Sequence, residues 1–307
     1  MTKTEFFETV KEKVQERVGE GCTVRVSEVV KTNNVRLTGL GILKGTSGVG
    51  LTIYLDGYFE EYEKGSKTLD QIVDDILATT ENHKTPHVDH ELFDDFAKAQ
   101  DGIVATLVNK ERNAEMFVNV PHKDFLDLAV VYRLVMDIDG RKGSLVVNNM
   151  LMERWGISED DLVRVAKQNE ATISKAVVRN LSLVLGEAKV SLDEAGVEAE
   201  DLPEITPEKD MTVLTTAEQH YGAGVILQDG ILEQVAAERD SDLFLIPSSV
   251  AEWLAVKCDP ESDEYDYQRE YLNWLVVSTN LSQLPPDEVL SNHVYLYRRS
   301  TKKLEIA

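Results

Sequence analysis

A histidine and an aspartate stand five residues apart in PHKDFLDLAVVYRL, residues 121–134. His122 as a base, with Asp127 as the carboxylate that orients it, would make an acid–base pair. On an extended segment alternate residues share a face, so residues five apart point to opposite sides. The pair therefore needs a bend between its members. The plainer expectation is a loop leading into a buried strand, with His122 hydrogen-bonding at the junction.

Other residues carry possible chemistry. HKTPHVDH (83–90) places His83, His87 and His90 around Asp89. His83 and His87 are four apart, the spacing that sets two imidazoles on one helical face for a metal. Pro86 between them disfavours continuous helix, so a solvated connection is expected, with His83, His87 and His90 as the candidate ligands. His220 and Tyr221 precede a Gly-Ala-Gly that suits a tight turn or close backbone packing. In LFLIPSSVAEWLAV, Ser248 follows a strand-like run, but the Gly-x-Ser-x-Gly of a nucleophile elbow is absent. Ser248 or Ser249 is expected to cap a helix instead. The glycine-rich GLGILKGTSGVG (39–50) has Lys44 ahead of Gly45 and a strand after it, the reverse of a phosphate loop. A hairpin turn is expected there, and no cofactor.

The elements that would position these residues are mixed. Residues 4–18 set Phe6, Phe7, Val10, Val14 and Val18 at helical spacing, ended by Gly19 and Gly21. VRVSEVV, NVRLTGLGIL and GLTIYL then read as an antiparallel meander. Thr68 with Gln71, and Ser158 with Asp161, are capping-box patterns that open helices. The runs 102–109, 125–138, 211–216, 224–227, 242–247 and 293–299 read as strands, and 231–239 and 266–280 as helices. Without a sustained strand–helix alternation, the expected fold is α+β: mixed, largely antiparallel sheets with packed helices and room for two subdomains. The expected division is 1–86, holding a helix, the meander and further helices, and 87–307. An exposed acidic connection is expected near 187–210, where nine acids and two prolines fall in one stretch.

Bulk properties narrow the partners. The 307 residues carry 32 basic against 55 acidic side chains, a net charge of -23. Such a field repels phosphates and anionic membranes, so direct nucleic-acid binding is disfavoured and a protein partner with a basic surface is favoured. The chain lacks the run of about 20 apolar residues that a span needs, and it begins with an amphipathic charged segment. Its two cysteines, Cys22 and Cys258, are far apart and imply neither a zinc site nor a disulfide framework. A cytoplasmic location is expected.

The tracts EVVKTNNVRLTGLGI, TIYLDGYFEEYEKG, LVNKERNAEMFVNVPHKDFLDLAVVYRL, LMERWGISEDDL, YGAGVIL, LFLIPSS and DEVLSNHVYLY, taken together and in this order, span about residues 5–299. With them the chain resembles an uncharacterised family of gut-dwelling Gram-positive anaerobes, classed as a domain of unknown function. The resemblance implies a soluble bacterial protein recurring as a unit, and it transfers no reaction, cofactor or catalytic residue.

Function is therefore expected to be non-catalytic binding. Tyr58, Phe59 and Tyr62, then Tyr265, Tyr267, Tyr271 and Trp274, could supply amphipathic contact surface. One sharper version is an acidic inhibitor occupying a basic nucleic-acid-binding surface of a partner. The catalytic alternative is an enzyme whose site assembles His122, His220, Tyr221 and Ser248 from separate segments.

Overall fold

The computed structural model describes residues 1–44, 50–82, 88–184, 211–217 and 221–307. It resolves into two compact units, Met1–Asp89 with Asp137–Gly143, and His90–Met136 with Ser144–Ala307. The fold is α+β: among the described residues, helices accompany three sheets whose strands pair antiparallel.

In the first unit, α1 (Lys3–Arg17) begins at a capping box. The Thr2 hydroxyl accepts from the Glu5 amide, and the Glu5 carboxylate accepts from the Thr2 amide. These bonds satisfy two donors that a helix start otherwise leaves open. Strands β1 (Cys22–Val30), β2 (Arg36–Lys44) and β3 (Leu51–Tyr54) form the meander. Between β1 and β2, Asn33 and Asn34 take left-handed φ of 62° and 56°, a conformation asparagine tolerates better than most residues. Helix α2 (Asp56–Glu63) follows, then α3 (Leu69–Asn82), where Thr68 and Gln71 exchange the expected pair of bonds. The core gathers Phe6, Phe7, Val10 and Val14 of α1 with Leu40, Phe59, Ile72 and Ile76.

In the second unit, short helices α4 (Glu91–Asp94) and α5 (Phe96–Ala99) are separated by Asp95, whose extended backbone breaks the helix and whose carboxylate caps the next. Strands β4 (Ile103–Asn109), β5 (His122–Phe125) and β6 (Leu128–Ile138) form a sheet in the order β4-β6-β5, and β7 (Arg141–Val146) pairs with β6. Helices α6 (Asn149–Trp155) and α7 (Glu159–Asn169) come next, the latter opened by the Ser158–Asp161 capping box. A six-stranded sheet then runs β13-β12-β10-β11-β9-β8. Its strands are β8 (Ala176–Asn180), β9 (Thr212–Thr216), β10 (Asp242–Ser249), β11 (Glu252–Cys258), β12 (Tyr295–Arg298) and β13 (Lys303–Ile306). Helices α8 (Ile231–Arg239) and α9 (Tyr265–Ser282) complete it. No helix among the described residues is long and apolar enough to cross a membrane.

Three local expectations fail, and the failures are tertiary. The 125–138 run is not one strand entered from a loop: it breaks at Leu126–Asp127, and His122–Phe125 pairs back onto β6 as a strand of its own. GVIL is not a strand; Gly222–Leu227 is a 3₁₀ helix entered through Tyr221 at a left-handed φ of 56°. The turn lies so close to its neighbours that a Cβ at Gly222 would come within 2.5 Å of the Ala251 carbonyl oxygen. A Cβ at Gly224 would collide with the Ala105 carbonyl oxygen. Ser248 and Ser249 do not cap a helix either. They end β10 at a tight turn into β11, where Ser249 Oγ accepts from the Ala251 amide at 3.0 Å. Trp253 of β11 is fully buried and donates its indole N–H to the Ala223 carbonyl at 2.8 Å, fastening the 3₁₀ turn to the sheet.

Gly224→Ala is expected to cost about 2 kcal/mol, the scale of overpacking a close-packed interior. A urea midpoint unchanged from the parent would contradict the close approach.

Candidate functional site

A polar cluster of the second unit forms around Asp127. In SNHVY (291–295) Ser291, His293 and Tyr295 fall at alternate positions, so they can address one side as the chain enters β12. They meet Asp127, which sits in the two-residue link between β5 and β6. There Leu126 takes a φ of 58°, a left-handed backbone that bulky L-residues rarely adopt. Asp127 Oδ2 accepts from Ser291 Oγ at 2.7 Å and lies 3.0 Å from His293 Nδ1. Its Oδ1 accepts from the Tyr295 hydroxyl. Ser291 Oγ in turn accepts from the His293 amide at 3.0 Å. Neighbouring bonds hold the frame: Asn109 Nδ2 donates to the Leu290 carbonyl, and Asn280 Nδ2 to the Ser291 carbonyl.

Burial is the largest single influence on the Asp127 carboxyl and pushes its pKa up. The bonds from Tyr295, Ser291 and His293 together outweigh burial and hold the carboxyl below its ordinary value. Burial and the Asp127 bond push the Tyr295 phenol far above its usual range, so it remains a neutral donor.

Serine, histidine and aspartate are all present, but not in the order of a hydrolase. A nucleophilic serine needs the imidazole between itself and the carboxylate. Here the carboxylate lies between, and the Ser291 proton is committed to it. His293 differs from the others, being 54% exposed while Ser291 and Tyr295 are fully buried. The arrangement is thus a carboxylate clamp with one exposed imidazole on it.

Residues 3–299 match the family of unknown function DUF5688. The chain belongs to that family. No curated protein and no solved structure matches it. In this DUF5688 chain the tracts PHKDFLDLAVVYRL and DEVLSNHVYLY, remote in sequence, meet at Asp127.

The structure gives the residues singled out from sequence separate partners. His122 lies in β5 with its ring stacked on Phe117 at 4.1 Å and Nδ1 3.1 Å from the Val120 carbonyl. Asp127 has its histidine, but it is His293. Tyr221 stacks over the buried Arg133 guanidinium, 3.5 Å from ring centroid to Cζ. Ser248 Oγ donates to Glu252 at 3.1 Å. His90 sits edge-on to Phe93. His83, His87 and His220 lie outside the described residues. Among the described residues no group of three or more His, Cys, Asp or Glu side chains is placed to hold a metal. Burial pushes the Cys258 thiol up to about 12, which makes it a poor nucleophile.

A second feature is apolar. Helix α9 buries Leu272 and Val276 against β10 and β12, with Tyr265 stacked on Phe244. Its outer face leaves Tyr267, Tyr271, Trp274, Val277 and Leu281 exposed, from 38% at Val277 to 83% at Leu281. The rings of Tyr271 and Trp274 stack at 6.2 Å. An open cleft of about 760 Å³ is lined by Asp259 and Glu261, which precede the helix in sequence, with Asp240, Asp242, Arg298 and Arg299.

Asp127→Ala strands two buried hydroxyl donors and is expected to cost about 3 kcal/mol, read from urea unfolding. Because folding depresses the Asp127 pKa, its contribution is complete above the ordinary value of about 3.9 and is lost as pH falls through the lower folded value. The parent should therefore lose more stability than Asp127→Asn on going from pH 5 to pH 3. Equal losses would remove the clamp from the acid response.

Proposed function

We propose that this chain is a non-catalytic interaction protein that binds a protein partner through the outer face of α9. The observation carrying the reading is the placement of three aromatic and two aliphatic side chains on the solvent side of one helix. At 100° per residue, Tyr267, Tyr271, Trp274 and Leu281 cluster opposite Leu272 and Val276. A helix that is apolar on both sides is normally buried on both sides. At these exposures the outer face leaves roughly 500 Å² of apolar surface in water, on a scale where an aromatic side chain covers about 150–250 Å². That is within the size of patch that marks contact sites on monomers. Tyrosine and tryptophan are also the residues on which binding energy concentrates. The proposed location is the cytoplasm, in keeping with two cysteines that form no disulfide.

The test is capture of a partner by the tagged full chain from a lysate of a Gram-positive anaerobe, identified by mass spectrometry and then titrated in pure form. Trp274→Ala is expected to weaken binding by about 30-fold, the effect of losing a hot-spot side chain worth about 2 kcal/mol, and to leave the thermal midpoint unchanged. Binding through an apolar face persists in high salt. An acidic chain occupying a basic nucleic-acid-binding surface would instead lose its partner at high salt and to competing nucleic acid. An unaltered affinity in the Trp274 variant would end the proposal.

A further inference from the structure

The spacing on the outer face of α9 says what shape of partner fits it. Positions 267, 271, 274, 278 and 281 advance by 4, 3, 4 and 3, the repeat of a helix seam. Tyr267, Tyr271, Trp274 and Leu281 occupy four of these positions and Ser278 the fifth, with Val277 flanking. A seam of this period accepts the side chains of another helix along about 21 Å of its length.

Charge says what kind of helix. From Asp259 to Glu270 the chain holds Asp259, Glu261, Asp263, Glu264, Asp266 and Glu270 against a single Arg269, which is already paired with Asp266 at 3.0 Å. From Tyr271 to Pro286 there is no charged residue. The seam is thus acidic at one end and neutral over the rest. Asp259 and Glu261, a few residues ahead of the helix in sequence, line the 760 Å³ cleft together with Asp240, Asp242 and two arginines. Arg299 is engaged by Asp240, and Arg298 by Glu305 at 2.8 Å.

We infer that α9 docks an amphipathic helix whose apolar stripe lies on Tyr267, Tyr271, Trp274 and Leu281 and whose lysines or arginines lie over Asp259, Glu261 and Asp266. This deepens the interaction reading above and rests on it. A second copy of the chain fits less well. Parallel pairing sets acid against acid. Antiparallel pairing brings the partner copy's uncharged half, followed by Asp287 and Glu288, to the acidic end. Two such faces bury roughly 1,000 Å², short of the ~1,200–2,000 Å² of stable interfaces. A basic helix running on over the cleft adds contact and charge pairing where a second copy adds repulsion.

The experiment uses the full chain and synthetic three-heptad helices with leucine along the seam. One carries lysines in a terminal heptad; its counterpart carries glutamates there. Fluorescence anisotropy should show micromolar binding of the basic peptide and at least tenfold weaker binding of the acidic one. Trp274→Ala with Tyr271→Ala should weaken the basic peptide at least tenfold. Asp259→Asn with Glu261→Gln should weaken it several-fold and leave the thermal midpoint unchanged. Equal binding of the two peptides, or binding indifferent to the Trp274 and Tyr271 changes, overturns the inference. Sedimentation that shows a dimer dissolved by Trp274→Ala, with no peptide binding, overturns it in favour of a second copy. If the basic peptide fails while the purified lysate partner still depends on Trp274, the partner class is wrong and the interaction reading stands. If neither depends on Trp274, both fall.

Discussion

The Asp127 carboxylate joins the two sheets of the larger unit. It projects from the turn between β5 and β6, and its three side-chain donors come from the segment that opens β12. Two of those donors, on Ser291 and Tyr295, are fully buried. A buried hydroxyl without an acceptor costs of the order of 1–3 kcal/mol, so the acceptor stabilises the edge-to-face packing of Tyr295 on Trp253. A carboxylate with filled lone pairs offsets its own desolvation through those same bonds. The constraint is mutual: sheet packing buries the donors, and the donors hold the carboxylate charged.

From that junction the chain reaches α9 through short range. Asn273 of α9 accepts the Val294 amide, and Asn280 donates to the Ser291 carbonyl and the Asn292 side chain. The helix is thereby fixed in rotation as well as position. Its inner stripe of Leu272 and Val276 meets the core, and its outer aromatic stripe must then face water. The polar contacts decide the presentation of an apolar face. This is a rigid way to offer a binding surface, since the entropy of ordering the helix is lost on folding and not at the moment of contact.

Local features were legible in the sequence where their cause lies within a few residues. The capping pairs at Thr68–Gln71 and Ser158–Asp161 reach only three residues. The helices of residues 231–239 and 266–280 and the strands of β-branched residues follow from periodicity, and with them the α+β class. Where the deciding neighbour is remote, the same reasoning failed. The 224–227 run has the composition of a strand, but Gly222 and Gly224 allow backbone to approach backbone at Ala251 and Ala105, and the turn tightens to 3₁₀. The serines that end β10 have the composition of a cap, but β11 pairs back onto β10 and sets them at the turn between the strands.

For function the division is similar. The sequence by itself determined an acidic chain and an aromatic-rich helix over residues 266–280, because these depend only on composition and period. It could name Asp127 as a carboxylate in search of a histidine. Only the tertiary structure decided that the histidine is His293, 166 residues away, rather than His122 at five. It also decided which side of α9 meets the core. Side-chain period reports which residues share a face; which face is covered depends on what the rest of the chain brings against it, and that is a property of the packed fold alone.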